Sequence, residues 1–178
     1  MIVIGILVPG AASMAMVIEI ARRAAGTGAR TEVVGVAPMG SAGDRQLVEL
    51  AAAGVGHATV TRSAAADIEP ADLELALRYL PDIRAIVLVD ASSSLLETAA
   101  AASSWSGATL VVVGTLDAES IAAVDAAPSR PIVMEPPARD PDAAFAGLVA
   151  ALAVRLDAGE APSAAWQSTV AALSLDPA

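Results

Sequence analysis

Several short segments carry residue types that could do chemistry. Asp90 ends the run Ile83–Asp90 and precedes Ser92-Ser93-Ser94. A carboxylate there could bind a sugar hydroxyl or magnesium, whereas as a helix cap it needs no ligand. Asp117 and Glu119 follow a second run, Thr109–Gly114, and carry the same two readings. Gly10-Ala11-Ala12-Ser13 lies where an apolar run turns into a helix-like segment. Exposed backbone N–H groups at such a turn could hold an anion; the alternative is a tight turn that sets Ser13 near the helix start. The three-glycine spacing of a dinucleotide fingerprint is absent. A second glycine-bearing turn, Pro38-Met39-Gly40-Ser41-Ala42-Gly43-Asp44, either cradles a ligand or caps the next helix. His57, the chain's one histidine, reads as a surface or strand-end residue. Trp105, in a loop that ends a helix, and Trp166 read as packing or interface residues.

What is missing narrows the chemistry further. All ten basic residues are arginine. Without lysine there is no Schiff-base chemistry and no Walker-type phosphate loop. Without cysteine there is no thiol nucleophile, disulfide or thiolate metal site. A Ser-His-Asp triad would have to use His57, and a metal would be a hard cation on carboxylates. No metal site is assigned from the sequence. The net charge of −10 opposes binding to phosphate backbones and anionic membrane surfaces. Aromatic residues make up only 2% of the chain, so a base-stacking nucleic-acid platform is not expected.

These residues need elements to position them, and the hydrophobic pattern supplies an alternation. Ile2–Val8 is a continuous aliphatic run of the kind a strand buried on both faces needs. The apolar stretch Met1–Ile18 lacks a positively charged start and is broken by Pro9-Gly10. It therefore reads as strand, turn and helix rather than as a leader or membrane span, and the chain is expected to be soluble and cytoplasmic. Helices are expected over 11–25, 44–53, 70–80, 95–103, 117–124, 141–157 and 162–173. Strands are expected over 32–37, 57–61, 83–90, 109–114 and 132–134. At 178 residues this suits one domain, residues 1–178. Short βαβα connections imply a three-layer α/β/α fold with a mostly parallel, Rossmann-like sheet. Ligands in such sheets sit beyond the strand C-terminal ends. That singles out Gly10, Ser13, Gly40, Asp90, Gly114 and Asp117 as candidate ligand-binding residues.

Three stretches together resemble the ribokinase-like (PfkB) carbohydrate kinases. Gly10–Met16 through Ala21-Arg22-Arg23, with Gly28–Gly35 after it, is similar to the family's glycine-rich helix and the strand that follows. Gly43-Asp44, with Leu47 through Gly54-Val55, is similar to a second family stretch. Asp142-Ala-Ala-Phe145-Ala-Gly147-Leu-Val-Ala-Ala-Leu152 resembles the end of the family signature, a glycine-rich anion hole leading into a helix. The resemblance implies a ribokinase-like core, ATP and magnesium where activity persists, and a sugar, nucleoside or nucleotide as small-molecule ligand. It implies Asp142 as the base that takes the substrate hydroxyl's proton, with Asp140 as second choice.

The chain also departs from that pattern. Ala138-Arg139-Asp140-Pro141-Asp142 contains no glycine, and Pro141 removes a backbone donor. Val8 runs directly into Pro9-Gly10, where the family places a sugar-binding aspartate and a small β-lid. The expectation is a shortened kinase-like core without the lid, with weak or no phosphoryl transfer but a retained ligand site. The alternative is a non-catalytic oligomerisation or regulatory module, with a homodimer as the expected assembly. An unrelated flavodoxin-type ligand-binding domain is the third reading.

Overall fold

A computed structural model describes residues 1–6, 11–63, 68–140 and 142–174. Its elements alternate along the chain. They run β1 (Ile2–Ile6), α1 (Ala11–Gly26), β2 (Thr31–Pro38), α2 (Ser41–Ala52), β3 (Gly56–Ser63), α3 (Pro70–Tyr79) and β4 (Ala85–Val89). They continue with α4 (Ser93–Ser106), β5 (Thr109–Val113), α5 (Ala118–Ala126), β6 (Ile132–Met134), α6 (Ala144–Asp157) and α7 (Pro162–Ser174).

The six strands form one sheet in the order β3-β2-β1-β4-β5-β6. Each of its strand pairings is parallel, which sharpens the expectation of a mostly parallel sheet. β1 is central, with Ile2 registered against Thr31 on one side and Ala85 on the other. Among the described residues no strand lies outside this sheet, so none builds a separate lid.

Strand alternation sorts side chains between the two faces. Val33, Ala85, Val87, Val89, Val111 and Val113 face the layer of α1, α2, α6 and α7. Val34, Ile86, Leu88, Leu110 and Val112 face α3, α4 and α5. The first layer is built from small residues: Ala21 and Ala24 of α1 share its core with Ala146, Ala150 and Ala153 of α6. Small side chains let the helices sit close to each other and to the valine face. The second layer takes the larger Leu73, Leu77, Leu95 and Leu96. Fully burying each leucine or valine stabilises the fold by about 1.5–3 kcal/mol.

Element boundaries follow local chemistry. Pro70 opens α3, where its missing N–H is not needed. α4 ends where Gly107 turns left-handed, at φ 73°, and its N–H donates to the Ser103 carbonyl. Trp105 therefore lies inside a helix, not in the loop expected from sequence. The helix expected from residue 141 begins instead at Ala144, after Ala143 adopts a left-handed conformation with φ 51°. α2 starts three residues earlier than expected, at Ser41.

Candidate functional site

The chain leaves β1 toward β2 and β3 on one side of the sheet, then returns to build β4, β5 and β6 on the other. In doubly wound sheets such a reversal is the usual ligand position, in a crevice beyond the C-terminal ends of the flanking strands, here β1 and β4. Two of the expected site residues meet there. The Ser13 hydroxyl, in the first turn of α1, donates a short hydrogen bond to Asp90 Oδ2, just beyond β4. Asp90 has a left-handed backbone, with φ 48°. Non-glycine residues held in this region cluster at ligand sites and are kept there by their surroundings.

Those surroundings are visible in the backbone. The Asp90 N–H donates to the Val113 carbonyl at 2.8 Å, and the Gly114 N–H donates to the Met134 carbonyl at 3.1 Å. Gly114 has φ 148°, and a Cβ there would lie 2.8 Å from Asp90 Oδ1 and 3.4 Å from the Asp90 Cα. The Asp90 carboxylate would have to shift to admit a side chain at position 114, and the positive φ there favours glycine. The Thr115 hydroxyl donates to Glu135 Oε1 at 3.4 Å, which brings a second carboxylate to the end of β6. Ser13, Asp90 and Gly114 thus form one constellation. Asp90 does not cap α4, because the residue at that position is Ser92.

The other expected residues lie elsewhere or act structurally. Asp117 caps α5: its Oδ1 accepts the Ser120 N–H at 2.8 Å, and that bond holds its carboxyl below the usual aspartate range. Gly40, with φ 86°, is the residue that precedes α2, and its carbonyl accepts the Asp44 N–H at 3.1 Å. It makes the turn from β2 into α2 without a side-chain cap, and no described bond joins it to Asp90. Gly10 lies outside the described residues. His57 is the second residue of β3, the edge strand farther from β4, with Nδ1 3.1 Å from the Val55 carbonyl.

Asp140 and Asp142 do not join the crevice group through any described bond. Asp140 Oδ2 accepts the Phe145 N–H at 3.1 Å, so it caps the first turn of α6. Asp142 is exposed, and its backbone carbonyl accepts from Arg23 Nη2 at 3.3 Å. Arg23 Nε also pairs with Glu19 Oε1 at 2.5 Å. Hydrogen bonding from Arg22, with a further contribution from Arg23, holds the Glu19 carboxyl below its ordinary value despite partial burial. A Cβ on Gly147 would lie 2.6 Å from Arg23 Nη1, so this guanidinium lies across the start of α6.

Sequence reasoning did not single out Arg23 as the link between α1 and the 140–145 turn. Its spacing from Glu19 foretells the pair within the helix, but nothing local foretells its reach to α6. Among the described residues no group of three or more His, Asp or Glu side chains could hold a metal ion, and no helix is long and apolar enough to cross a membrane.

No family model matches the chain, and no curated protein sequence matches it. Solved structures do. The tetrameric inhibited form of phosphofructokinase-2 from Escherichia coli is 12% identical, with a TM-score of 0.66 over 96% of this chain and 92% of that one. A PfkB protein from a Polaromonas species is 11% identical, with a TM-score of 0.62 over 94% and 92% of the two chains. A ribokinase-II-type protein from Escherichia coli in complex with ATP and Mg2+ is 11% identical, with a TM-score of 0.57 over 94% and 89%. The parallel α/β/α architecture of this chain is thus the fold of the ribokinase-like, PfkB-type carbohydrate kinases.

Proposed function

We propose that the chain binds a small molecule in the β1/β4 crevice, on a sugar-kinase fold whose phosphoryl-transfer machinery is reduced to weak or no activity. The observation that carries this reading is the Ser13–Asp90–Gly114 constellation, with Asp90 held in a left-handed backbone by contacts from β5. The ligand is a sugar, nucleoside or nucleotide, and residues 1–178 act as one domain. The net charge of −10 argues against a nucleic-acid or membrane partner and accords with a cytoplasmic location.

The reduced activity follows from the 138–142 turn. Phosphoryl transfer depends on donors positioned around the transferred group. Here the turn has no glycine, Pro141 has no N–H, and Asp140 already accepts one of the first amides of α6. If turnover persists, ATP and magnesium supply the phosphoryl group and its charge neutralisation. Asp142 then takes the substrate hydroxyl's proton on its exposed carboxylate, with Asp140 as the second choice. Calorimetric titration and thermal-shift measurements with ATP–Mg2+ and a panel of sugars and nucleosides test the proposal. Heat or a shift with at least one compound, and little ADP formed, is the expected outcome; silence across the panel would sink it.

A second reading is a non-catalytic oligomerisation or regulatory module, most simply a homodimer. It is favoured by the α3–α5 side of the molecule, where Leu75, Tyr79, Trp105 and Ile121 are 54%, 76%, 50% and 49% exposed. The Arg78 guanidinium lies 5.9 Å from the centre of the Trp105 ring at this face. Large apolar side chains exposed on neighbouring helices are candidates for such a contact surface. A strictly monomeric mass at micromolar concentration counts against this reading.

A further inference from the structure

We infer that a cavity at the amino-terminal ends of β5 and β6 is an anion site that takes a small organic acid by its carboxylate. It lies at the opposite end of the strands from Asp90 and Gly114, so it does not depend on the crevice reading.

The cavity holds about 630 Å³ and is open to solvent. Ala108 and Thr109 wall it where α4 gives way to β5, and Pro128, Arg130 and Pro162, the first residue of α7, line it from the other elements. Its loop is anchored. Ser103 of α4 is 1% exposed, and its hydroxyl lies 2.5 Å from that of Ser129, the residue before Arg130. Ligand pockets begin at about 300 Å³, so this space is far larger than a bare ion needs. Its ligand has a body as well as a charge, and Ala108, Pro128 and Pro162 give that body an apolar wall.

Charge decides the ligand class. Twenty residues of the chain are acidic, and two cavities along α4 and α5 both include Glu97. The lining of this one contains Arg130 and no acid. Among the described residues the Arg130 guanidinium makes no ion pair or hydrogen bond. Arg84 is likewise unpaired, and it adjoins the same place. Its carbonyl accepts the Thr109 N–H at 2.9 Å, and its Nη1 would lie 3.3 Å from a Cβ on Gly159, in the turn that leads into α7. The acids of that turn are already matched: Asp157 holds the Met1 amino group, and Glu160 pairs with Arg155 at 3.1 Å. An unmatched guanidinium beside an apolar wall suits a carboxylate, which it meets with two parallel N–H donors. The Thr109 hydroxyl, with no described partner, is a further donor. The net charge of −10 makes each added negative charge on a ligand more costly, which favours a monoanionic carboxylate over a dianionic phosphate.

The experiment titrates the whole isotope-labelled chain with hexanoate, benzoate, their uncharged amides hexanamide and benzamide, and inorganic phosphate, and follows backbone amide NMR shifts. At least one acid is expected to bind with a Kd of about 1 mM or tighter, about tenfold or more tighter than its own amide. The amides that move are expected at 107–110 and 129–130. Arg130→Gln changes an exposed side chain with no described partner. It is expected to remove most of the preference for the acid while leaving the affinity of the amide unchanged. Amides that bind as tightly as their acids overturn the anion site. Phosphate that binds more tightly than either acid overturns the carboxylate class. Shifts confined to the carboxyl ends of the strands, or no binding by any of the five compounds, overturn the cavity as a site. An Arg130→Gln protein with the native preference overturns the role of Arg130. Binding at either end of the sheet is read from different amides, so failure here is distinct from failure of the crevice.

Discussion

Replacing three glycines by alanine, one at a time, separates two ideas of what a close contact costs. A Cβ on Gly43 would lie 1.9 Å from the Pro38 carbonyl oxygen and 3.0 Å from its carbon. A Cβ on Gly56 would lie even closer to its neighbour, 1.5 Å from Glu32 Oε2. A Cβ on Gly26 meets nothing within 4 Å. Distance alone ranks Gly56 as the most costly site. Mobility ranks it differently, because the Glu32 carboxylate is the tip of a flexible, half-buried side chain that can swing away for about 0.5–1.5 kcal/mol.

The Pro38 oxygen is backbone at the end of β2, so Gly43→Ala must move the first turn of α2 off the sheet. Overpacking of this kind costs about 1–3 kcal/mol, and the upper end applies where both partners are main chain. Better helix propensity returns up to about 1 kcal/mol. The net expectation for Gly43→Ala is about 2 kcal/mol of destabilisation. For a chain of this size that lowers Tm by roughly 4–8 °C. Gly56→Ala should cost at most about 1 kcal/mol, and Gly26→Ala should be neutral or stabilising by about 0.5 kcal/mol. Urea unfolding of the three variants beside the native protein gives the order. A Gly56→Ala protein less stable than Gly43→Ala would refute the mobility argument. A Gly43→Ala protein as stable as native would refute the approach of α2 to β2.

Two further expectations concern charge. Glu19 accepts from both Arg22 and Arg23, and its folded carboxyl titrates below the ordinary value of 4.5. The stability it contributes is therefore present above the unfolded value and is lost as pH falls through the lower folded one. Glu19→Gln should cost about 0.5–1 kcal/mol at pH 7, with the gap from native closing in acid below about pH 4, as read by denaturant midpoints across pH. A gap that does not depend on pH would mean packing rather than charge. Asp140→Ala removes the acceptor of the Phe145 N–H, 3.1 Å away, and should lower Tm by roughly 2–4 °C through the loss of about 1 kcal/mol of capping. An unchanged Tm would show that the cap contributes nothing to α6.

The alternation of elements was legible because most strands are short aliphatic runs, the polar edge strand β3 excepted, and most helices are bounded by glycine or proline. Ile132–Met134 falls within the same limits in sequence and structure. The helix start at 144 was not legible. Pro141 suggests a first helical turn, but the backbone takes a left-handed step at Ala143 that alanine gives no reason to expect. The meeting of Ser13 with Asp90 was legible only as two strand-end residues. Their contact depends on β1 and β4 being neighbours, and strand order is a long-range property that local pattern does not encode. Asp90 also shows how one residue type supports two readings. Its place after a strand and before a serine run fits a cap, yet Ser92 takes that position and leaves the carboxylate to the crevice.

Composition and geometry point the same way on the question of phosphate. Of ten arginines, Arg22, Arg23, Arg62, Arg78 and Arg155 are ion-paired with the chain's own carboxylates. With twenty acidic residues and no lysine, few cations are left to meet a transferred group. Two helix starts each have an aspartate beside them: Asp140 accepts the Phe145 N–H of α6, and Asp90 accepts from the Ser13 hydroxyl of α1. An aspartate at a helix start stabilises the helix at the expense of anion binding there. At α6 the Asp140 carboxylate already satisfies one of the helix's first backbone N–H groups, the kind of donor a phosphate would need, whereas at α1 Asp90 engages only the Ser13 hydroxyl.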